Sequence, residues 1–107
     1  MNRFSIVMTT CADEGDARPI IDALLQERLA ACVQVVPIHS HYIWDGAVRH
    51  EGEVLLMIKG KTENYEAIER TILSLHGYEV PEIILVPIEG GDGRYLSWLA
   101  DPQGRCE

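Results

Sequence analysis

The chain has few positive charges. Nine Lys and Arg stand against seventeen Asp and Glu, which gives a formal net charge of −8 at pH 7. A protein that binds nucleic acids or anionic membranes needs a concentrated positive surface, whereas the basic residues of this chain are scattered. We therefore expect no nucleic-acid partner and no membrane partner, and the acidic balance is compatible with the attraction of cations.

Long apolar runs are also missing. No stretch approaches the roughly 20 apolar residues that span a bilayer. The start, Met1-Asn2-Arg3-Phe4, leads into strand-like residues without a cleavage-like site, so we expect a cytoplasmic protein. With 107 residues and 47% hydrophobic content, the chain is predicted to form one domain over residues 1–107 with a single core.

Cysteines are too few and too widely spaced for a disulfide framework or a Cys-x-x-Cys zinc site. Cys32 lies among small apolar residues and Cys106 lies in a polar tail. Cys11 ends the first predicted strand, close to Asp13 and Glu14 and without an adjacent Lys or Arg. This environment predicts a thiol whose pKa is not lowered.

Asp45-Gly46 between two extended runs is a strong hairpin signal, because Asp and Gly tolerate the positive φ angles of a tight turn. A turn of two residues makes Trp44 face Ala47 and therefore makes His41 face His50. Pro37 and Gly52 are expected at bulges or at edge positions of this hairpin.

Apolar periodicity and turn residues predict six main elements and a short last helix. Asp13 or Asp16 is expected to cap the first helix, with Pro19 favouring Asp16, and that helix is expected to end near Ala31. Thr62 is expected to cap the second helix, and Gly77 to end it in a left-handed conformation. The predicted strands are Phe4–Thr10, Val33–Ile43, Ala47–Lys59 and Glu82–Ile88, and the last helix is Arg94–Ala100.

The order strand, helix, strand, strand, helix, strand is typical of the α+β ferredoxin-like fold, a split βαβ (βαββαβ), here with a long hairpin and a short C-terminal helix. Both helices cover one face of the antiparallel sheet. Residues 54–58 and 83–86 are continuous apolar runs, which are typical of strands that are buried on both faces. We therefore expect a second copy of the chain to cover the other face.

Several motifs occur in the order found in a known family. The main ones are Ser40-His41-Tyr42-Ile43-Trp44-Asp45-Gly46 and His76-Gly77-Tyr78-Glu79-Val80-Pro81-Glu82, with residues 29–33 before them and residues 95–98 after. From the first strand to Trp98 the chain resembles the CutA divalent-cation tolerance family. The resemblance implies a non-enzymatic homotrimer acting in divalent-cation tolerance, with sheets packed around a threefold axis.

His39, His41 and His50 are expected on one face of the hairpin. Converging imidazoles bind copper, zinc or nickel. Exposed histidines on a solvated hairpin arm are the alternative. A bound divalent cation, copper or zinc, is the only cofactor that we expect, and folding is not expected to require it.

His76 is a further candidate metal ligand. Copper-binding relatives use a Cys near the end of the first strand and two adjacent His at the end of the second helix, where this chain has Thr9, Leu75 and His76. Cys11 is expected to replace the missing Cys only if the strand end rearranges. His76 alternatively serves as a cap on the helix dipole.

Five charged or tyrosine residues near strand ends and after the second helix form a third candidate site, a cleft. Its members are expected either to hold a small anion or metal in a cleft between subunits or to form an interface ion-pair network. We also expect three aromatic residues at subunit contacts, because large aromatic side chains are common there. The cleft residues are Glu53, Lys59, Tyr78, Glu79 and Glu82, and the interface residues are Tyr42, Trp44 and Trp98.

Two function classes remain open. The first is the cation-binding trimer that the resemblance implies. The second is a PII-like trimer that senses a small ligand or acts as a scaffold, with an unidentified protein as partner. Gly90-Gly91-Asp92-Gly93 lacks the Lys and the Ser or Thr of a phosphate-binding loop and is read as a turn.

Overall fold

The protein, described by a computed structural model over residues 2–102, is built on a four-stranded antiparallel sheet. Its strands have the order β2-β3-β1-β4. This order, with a helix after the first strand and another after the third, confirms the ferredoxin-like α+β fold. The strands are β1 (Phe4–Cys11), β2 (Cys32–Trp44), β3 (Ala47–Lys61) and β4 (Ile84–Ile88), and the helices are α1 (Glu14–Gln26), α2 (Tyr65–Leu75) and α3 (Gly93–Ala100).

The first helix begins earlier and ends earlier than the sequence predicts. Asp13 is the N-cap, and its carboxylate accepts the backbone N–H of Asp16 at 2.8 Å. Pro19 lies inside the helix, so the choice of Asp16 was wrong. The helix ends at Gln26 because Arg28 has a left-handed φ of 59°. The next turn then leads into β2, and just before this strand the amide of Ala31 donates to the carbonyl of Lys59 at 2.9 Å.

The predicted ends of the second helix are also corrected. A 3-10 turn over Thr62–Asn64 precedes α2, and the Thr62 hydroxyl bonds to Ser5 Oγ at 2.5 Å instead of capping the helix. Gly77 does not have a positive φ. The helix ends because His76 is already extended, with φ −76° and ψ 140°.

The hairpin between β2 and β3 agrees closely with the prediction. Asp45 and Gly46 have φ angles of 53° and 76°, as a primed turn requires. The pairing then runs without a bulge from Trp44 opposite Ala47 down to Cys32 opposite Lys59. Pro37 lies on the edge strand β2, and Gly52 lies where β3 has β2 as its neighbour but has not yet reached β1. Both are edge positions.

The sheet has two faces of different character. One face packs on α1 and α2 and forms the main core. On the other face the side chains of Val36, Ile84 and Val86 keep 38%, 47% and 38% of their surface exposed. The largest core side chains are Ile20, Leu24, Leu56, Ile58, Ile68 and Ile72. Among residues 2–102, no helix is long and apolar enough to cross a membrane. Cys106 lies outside the described residues.

Candidate functional site

Two of the three hairpin histidines come together. His41 pairs with His50 across the strands, as the turn length predicts, and their rings stack with centroids 5.6 Å apart. His39 lies on the same face but opposite Gly52, so no cross-strand side chain faces it. Within residues 2–102 no group of three or more His, Cys, Asp or Glu has an arrangement that holds a metal ion. The hairpin therefore presents an exposed pair of imidazoles.

The His76 ring, just after α2, hydrogen-bonds to the end of β1 and to the loop that follows α2. Its Nε2 bonds to the carbonyl of Thr10 at 2.7 Å, and its Nδ1 accepts the backbone N–H of Tyr78 at 3.0 Å. A carbonyl accepts and an N–H donates, so these partners require the proton on Nε2 and the lone pair on Nδ1. Both ring nitrogens are thus occupied. The ring bonds to β1 and not to the carbonyls that end α2.

Cys11 lies beside His76 without any rearrangement of the strand end. Its Sγ is 3.8 Å from His76 Nε2, and its side chain is buried. Burial, followed by the negative charges of Asp16, Glu53 and Asp13, raises the pKa of the thiol to about 11. The prediction that this pKa is not lowered is confirmed. Thiolate is the form that binds metal, so the environment opposes a metal site on Cys11.

At the two other positions that the resemblance suggests as copper ligands, this chain has residues of different chemistry. Thr9 is fully buried, and its hydroxyl has no hydrogen-bond partner among the described residues. Leu75 is 43% exposed at the end of α2. Neither side chain is a copper ligand, so a copper site of that kind does not fit this chain.

A cleft of about 630 Å³ lies where the base of the hairpin meets the loop after α2. Four of the five predicted cleft residues line it: Glu53, Tyr78, Glu79 and Glu82. Lys59 does not, because it points toward α3, where its Nζ is 6.0 Å from the centroid of the Tyr95 ring. The complete lining is Thr10, Ser40, His41, Tyr42, Trp44, Arg49, Glu51, Glu53, Gly77, Tyr78, Glu79, Val80 and Glu82.

Sequence reasoning placed Glu53 in this cleft but missed the other residues that the hairpin contributes. Tyr42, Arg49, Glu51 and Glu53 share the face of the arm opposite to the histidines, since side chains alternate along a strand. That alternation was visible in the sequence. What the sequence did not show is that the loop after α2 lies against this face.

Two tyrosines bond to carboxylates inside the cleft. Tyr78 donates its hydroxyl to Glu53 Oε2 at 2.6 Å, and Tyr42 donates to Glu51. Burial, the bond to Glu53 and nearby negative charge raise the pKa of Tyr78. The bond to Glu51 is the main cause that raises the pKa of Tyr42. Both hydroxyls therefore remain protonated donors at neutral pH.

The predicted interface residues lie at two places. Tyr42 and Trp44 border the cleft, and the Trp44 side chain is 43% exposed in the single chain. Trp98 lies on α3, and its ring stacks on Tyr95 with centroids 5.9 Å apart. Their role at subunit contacts stays a prediction.

Comparisons with known proteins agree with the fold and the motifs. The model of the CutA1 divalent ion tolerance protein family matches residues 5–102. The divalent-cation tolerance protein CutA of Thermus thermophilus is 42% identical over 100 residues, covering 92% of this chain and 97% of that protein.

Solved structures show the same likeness. The CutA1 structure from Thermus thermophilus superimposes with a TM-score of 0.88 at 41% identity, covering 94% of this chain and 99% of that one. The CutA1 structure from the psychrotrophic bacterium Shewanella sp. SIB1 has a TM-score of 0.87 at 42% identity and covers 92% of each chain. With a family model matched over nearly its whole length, the chain belongs to the CutA1 divalent ion tolerance family.

Proposed function

We propose that this protein acts in divalent-cation tolerance as a non-enzymatic, cytoplasmic homotrimer that binds a divalent cation, copper or zinc, at His41 and His50. The observation that carries this proposal is the stacked cross-strand pair, with ring centroids 5.6 Å apart. Imidazole is a preferred ligand of both metals. Both side chains are exposed, so the rings are free to turn their nitrogens toward one cation.

Two imidazoles leave further coordination positions to be filled. Water or a group from a second chain would supply them, because zinc takes about four ligands. His76 supports the proposal less well, since both of its ring nitrogens already have hydrogen-bond partners. A cation at His76 would have to displace the carbonyl of Thr10 from Nε2 or the backbone N–H of Tyr78 from Nδ1.

The homotrimer is supported by the apolar sheet face that α1 and α2 leave uncovered. Ile84, Val86 and Val36 are exposed there in the single chain. Removing such apolar surface from water contributes ~25 cal/mol per Å². A second copy of the chain is a suitable cover for an apolar face on a small protein.

Calorimetry with Zn(II) or Cu(II) at about pH 7.5 tests the cation site. We expect the parent protein to bind and the double variant His41→Ala, His50→Ala to lose binding. Binding of the parent should weaken at about pH 5.5, because protons compete for imidazole nitrogens. Weaker metal binding by His39→Ala than by the parent would show that the third histidine of the hairpin also binds the cation.

His76→Ala is the matched control, since it removes one imidazole elsewhere. If the hairpin pair is the site, His76→Ala should bind the metal as the parent does. Loss of binding in His76→Ala, with binding kept in the double hairpin variant, would place the site at the end of α2 and overturn the assignment to the hairpin.

A second candidate function, a PII-like sensor of a small ligand, is favoured by the cleft. Its volume of about 630 Å³ is in the range of small-molecule sites. Such a sensor would contact a protein partner when its ligand is bound.

A further inference from the structure

We propose that the cleft between the hairpin base and the loop after α2 binds an organic cation, an alkyl diamine or a molecule with two similarly spaced ammonium groups. The cleft lining includes His41 of the proposed metal site but not His50, so the cleft is tested below with variants that leave both histidines unchanged.

The charges of the cleft favour a cation. Four carboxylates line it, against one guanidinium, that of Arg49. The hairpin contributes Glu51 and Glu53, and the loop contributes Glu79 and Glu82. Negative charge gathered in a concave site raises the local concentration of cations. A small anion, one of the two ligands expected from the sequence, is therefore disfavoured.

The positions of the carboxylates favour an extended cation over a metal ion. Although four glutamates line the cleft, no three acidic, histidine or cysteine side chains among residues 2–102 are arranged to hold a metal. Glu51 and Glu53 lie two positions apart on one strand, a spacing of ~6.8 Å. This spacing suits two ammonium groups that are separated by a short alkyl chain.

Aromatic side chains provide the surface for that alkyl chain. Tyr42, Trp44 and Tyr78 all line the cleft. Because the two tyrosine hydroxyls donate to Glu51 and Glu53, the phenol rings are held next to the carboxylates. Aromatic faces attract ammonium groups and contact methylene groups. The combination is thus suited to a molecule that is charged at its ends and apolar between them.

Calorimetry with putrescine as the probe tests the proposal on the full chain. We expect a dissociation constant at or below about 1 mM for the parent. Butane-1,4-diol, which has the same length and no charge, should not bind. MgCl₂ and NaCl are added at equal ionic strength in separate titrations. MgCl₂ should displace no more putrescine than NaCl does.

Variants locate the site. Glu53→Gln and Glu51→Gln keep side-chain size and should each weaken putrescine binding at least about tenfold, since each removes a charged hydrogen-bond acceptor. Glu89→Gln is the matched control, an exposed glutamate outside the cleft lining, and should change binding less than about twofold. Circular dichroism and light scattering check that the variants keep the fold and mass of the parent.

Several results would overturn the proposal. Binding of the diol as strong as that of putrescine would show an apolar site. Displacement by Mg²⁺ beyond the salt control would show an inorganic-cation site. Equal binding by the parent and both cleft variants, or no binding by the parent up to about 10 mM putrescine, would show that the cleft does not bind diamines.

Discussion

At the scale of single residues, His76 and Cys11 show how burial and hydrogen bonding decide the chemistry of a side chain. The His76 ring joins the end of β1 to the loop after α2 through Thr10 and Tyr78. Cys11 lies 3.8 Å away, with a thiol pKa raised to about 11. Both residues carry metal-binding atoms. Hydrogen bonds occupy both ring nitrogens of His76, and the surroundings of Cys11 keep its thiol protonated.

We predict that Cys11 makes the protein less stable as the pH rises from about 9 to about 11. The folded state raises the thiol pKa from 9.0 to about 11, so the unfolded chain loses this proton first. The stability that the protonated Cys11 thiol contributes to the folded state is fully present below pH 9.0 and is lost as the pH rises through the folded pKa of about 11. It amounts to at most ~3 kcal/mol.

Thermal unfolding followed by circular dichroism between about pH 8 and about pH 10.5 measures this effect. The melting temperature of Cys11→Ala should fall less with pH than that of the parent. Cys32→Ala, which changes a thiol at a half-buried position in β2, should keep the parent slope. Equal slopes for the parent and Cys11→Ala would contradict the prediction.

At the scale of elements, the β2–β3 hairpin is the part that carries most of the candidate chemistry. One face presents His39, His41 and His50, and the other presents Tyr42 and Glu51 to the cleft. The arm keeps these two faces apart because its register is continuous. A slip of one residue would exchange the two sets of side chains.

We predict that Gly46→Ala loosens the hairpin and that Gly52→Ala does not. Gly46 has a φ of 76°, which costs a residue with a Cβ about 1 kcal/mol. Gly52 has an ordinary φ, and an added Cβ would meet no atom within 4 Å. Hydrogen exchange of the amides in residues 40–51 should therefore speed up about fivefold in Gly46→Ala only. Similar exchange in both variants would show that the turn does not limit opening of the arm.

At the scale of the whole molecule, the sheet face opposite to α1 and α2 keeps apolar side chains exposed in the single chain. The helices α1 and α2 lie on one side, and α3 lies on the other side, where its Tyr95 ring approaches Lys59. Ile84 and Val86 on β4 remain exposed. A surface of this kind is typical of a contact with another protein chain.

We predict that Ile84→Asp dissociates the proposed homotrimer. A charge at this position would have to be buried in the subunit contact, which is unfavourable without a partner charge. Leu73→Asp is the matched control, because Leu73 is 55% exposed but lies on α2, on the opposite side of the sheet. Light scattering at micromolar concentration should give a trimer mass for the parent and Leu73→Asp and a monomer mass for Ile84→Asp. A monomer mass for the parent would rule out the assembly.

Features that depend on neighbouring residues could be predicted from the sequence. Asp45-Gly46 determines a primed turn, because only such residues take positive φ easily, and the turn length then determines that His41 faces His50. The order of strands and helices determined the fold class in the same way. The predicted strand boundaries agree with the structure within about two residues, which is the usual uncertainty of element ends.

Features that depend on distant residues were decided by the tertiary structure alone. Arg28 ends α1 at Gln26 and not near Ala31, and the chain then lies against β3, where the Ala31 amide donates to the carbonyl of Lys59. His76 is occupied because its ring meets Thr10, 66 positions away in the chain. The cleft exists because the loop after α2 packs on the hairpin, which joins Tyr78 to Glu53 and leaves Lys59 outside. Periodicity and turn chemistry describe a residue and its near neighbours, whereas these contacts depend on how the elements pack.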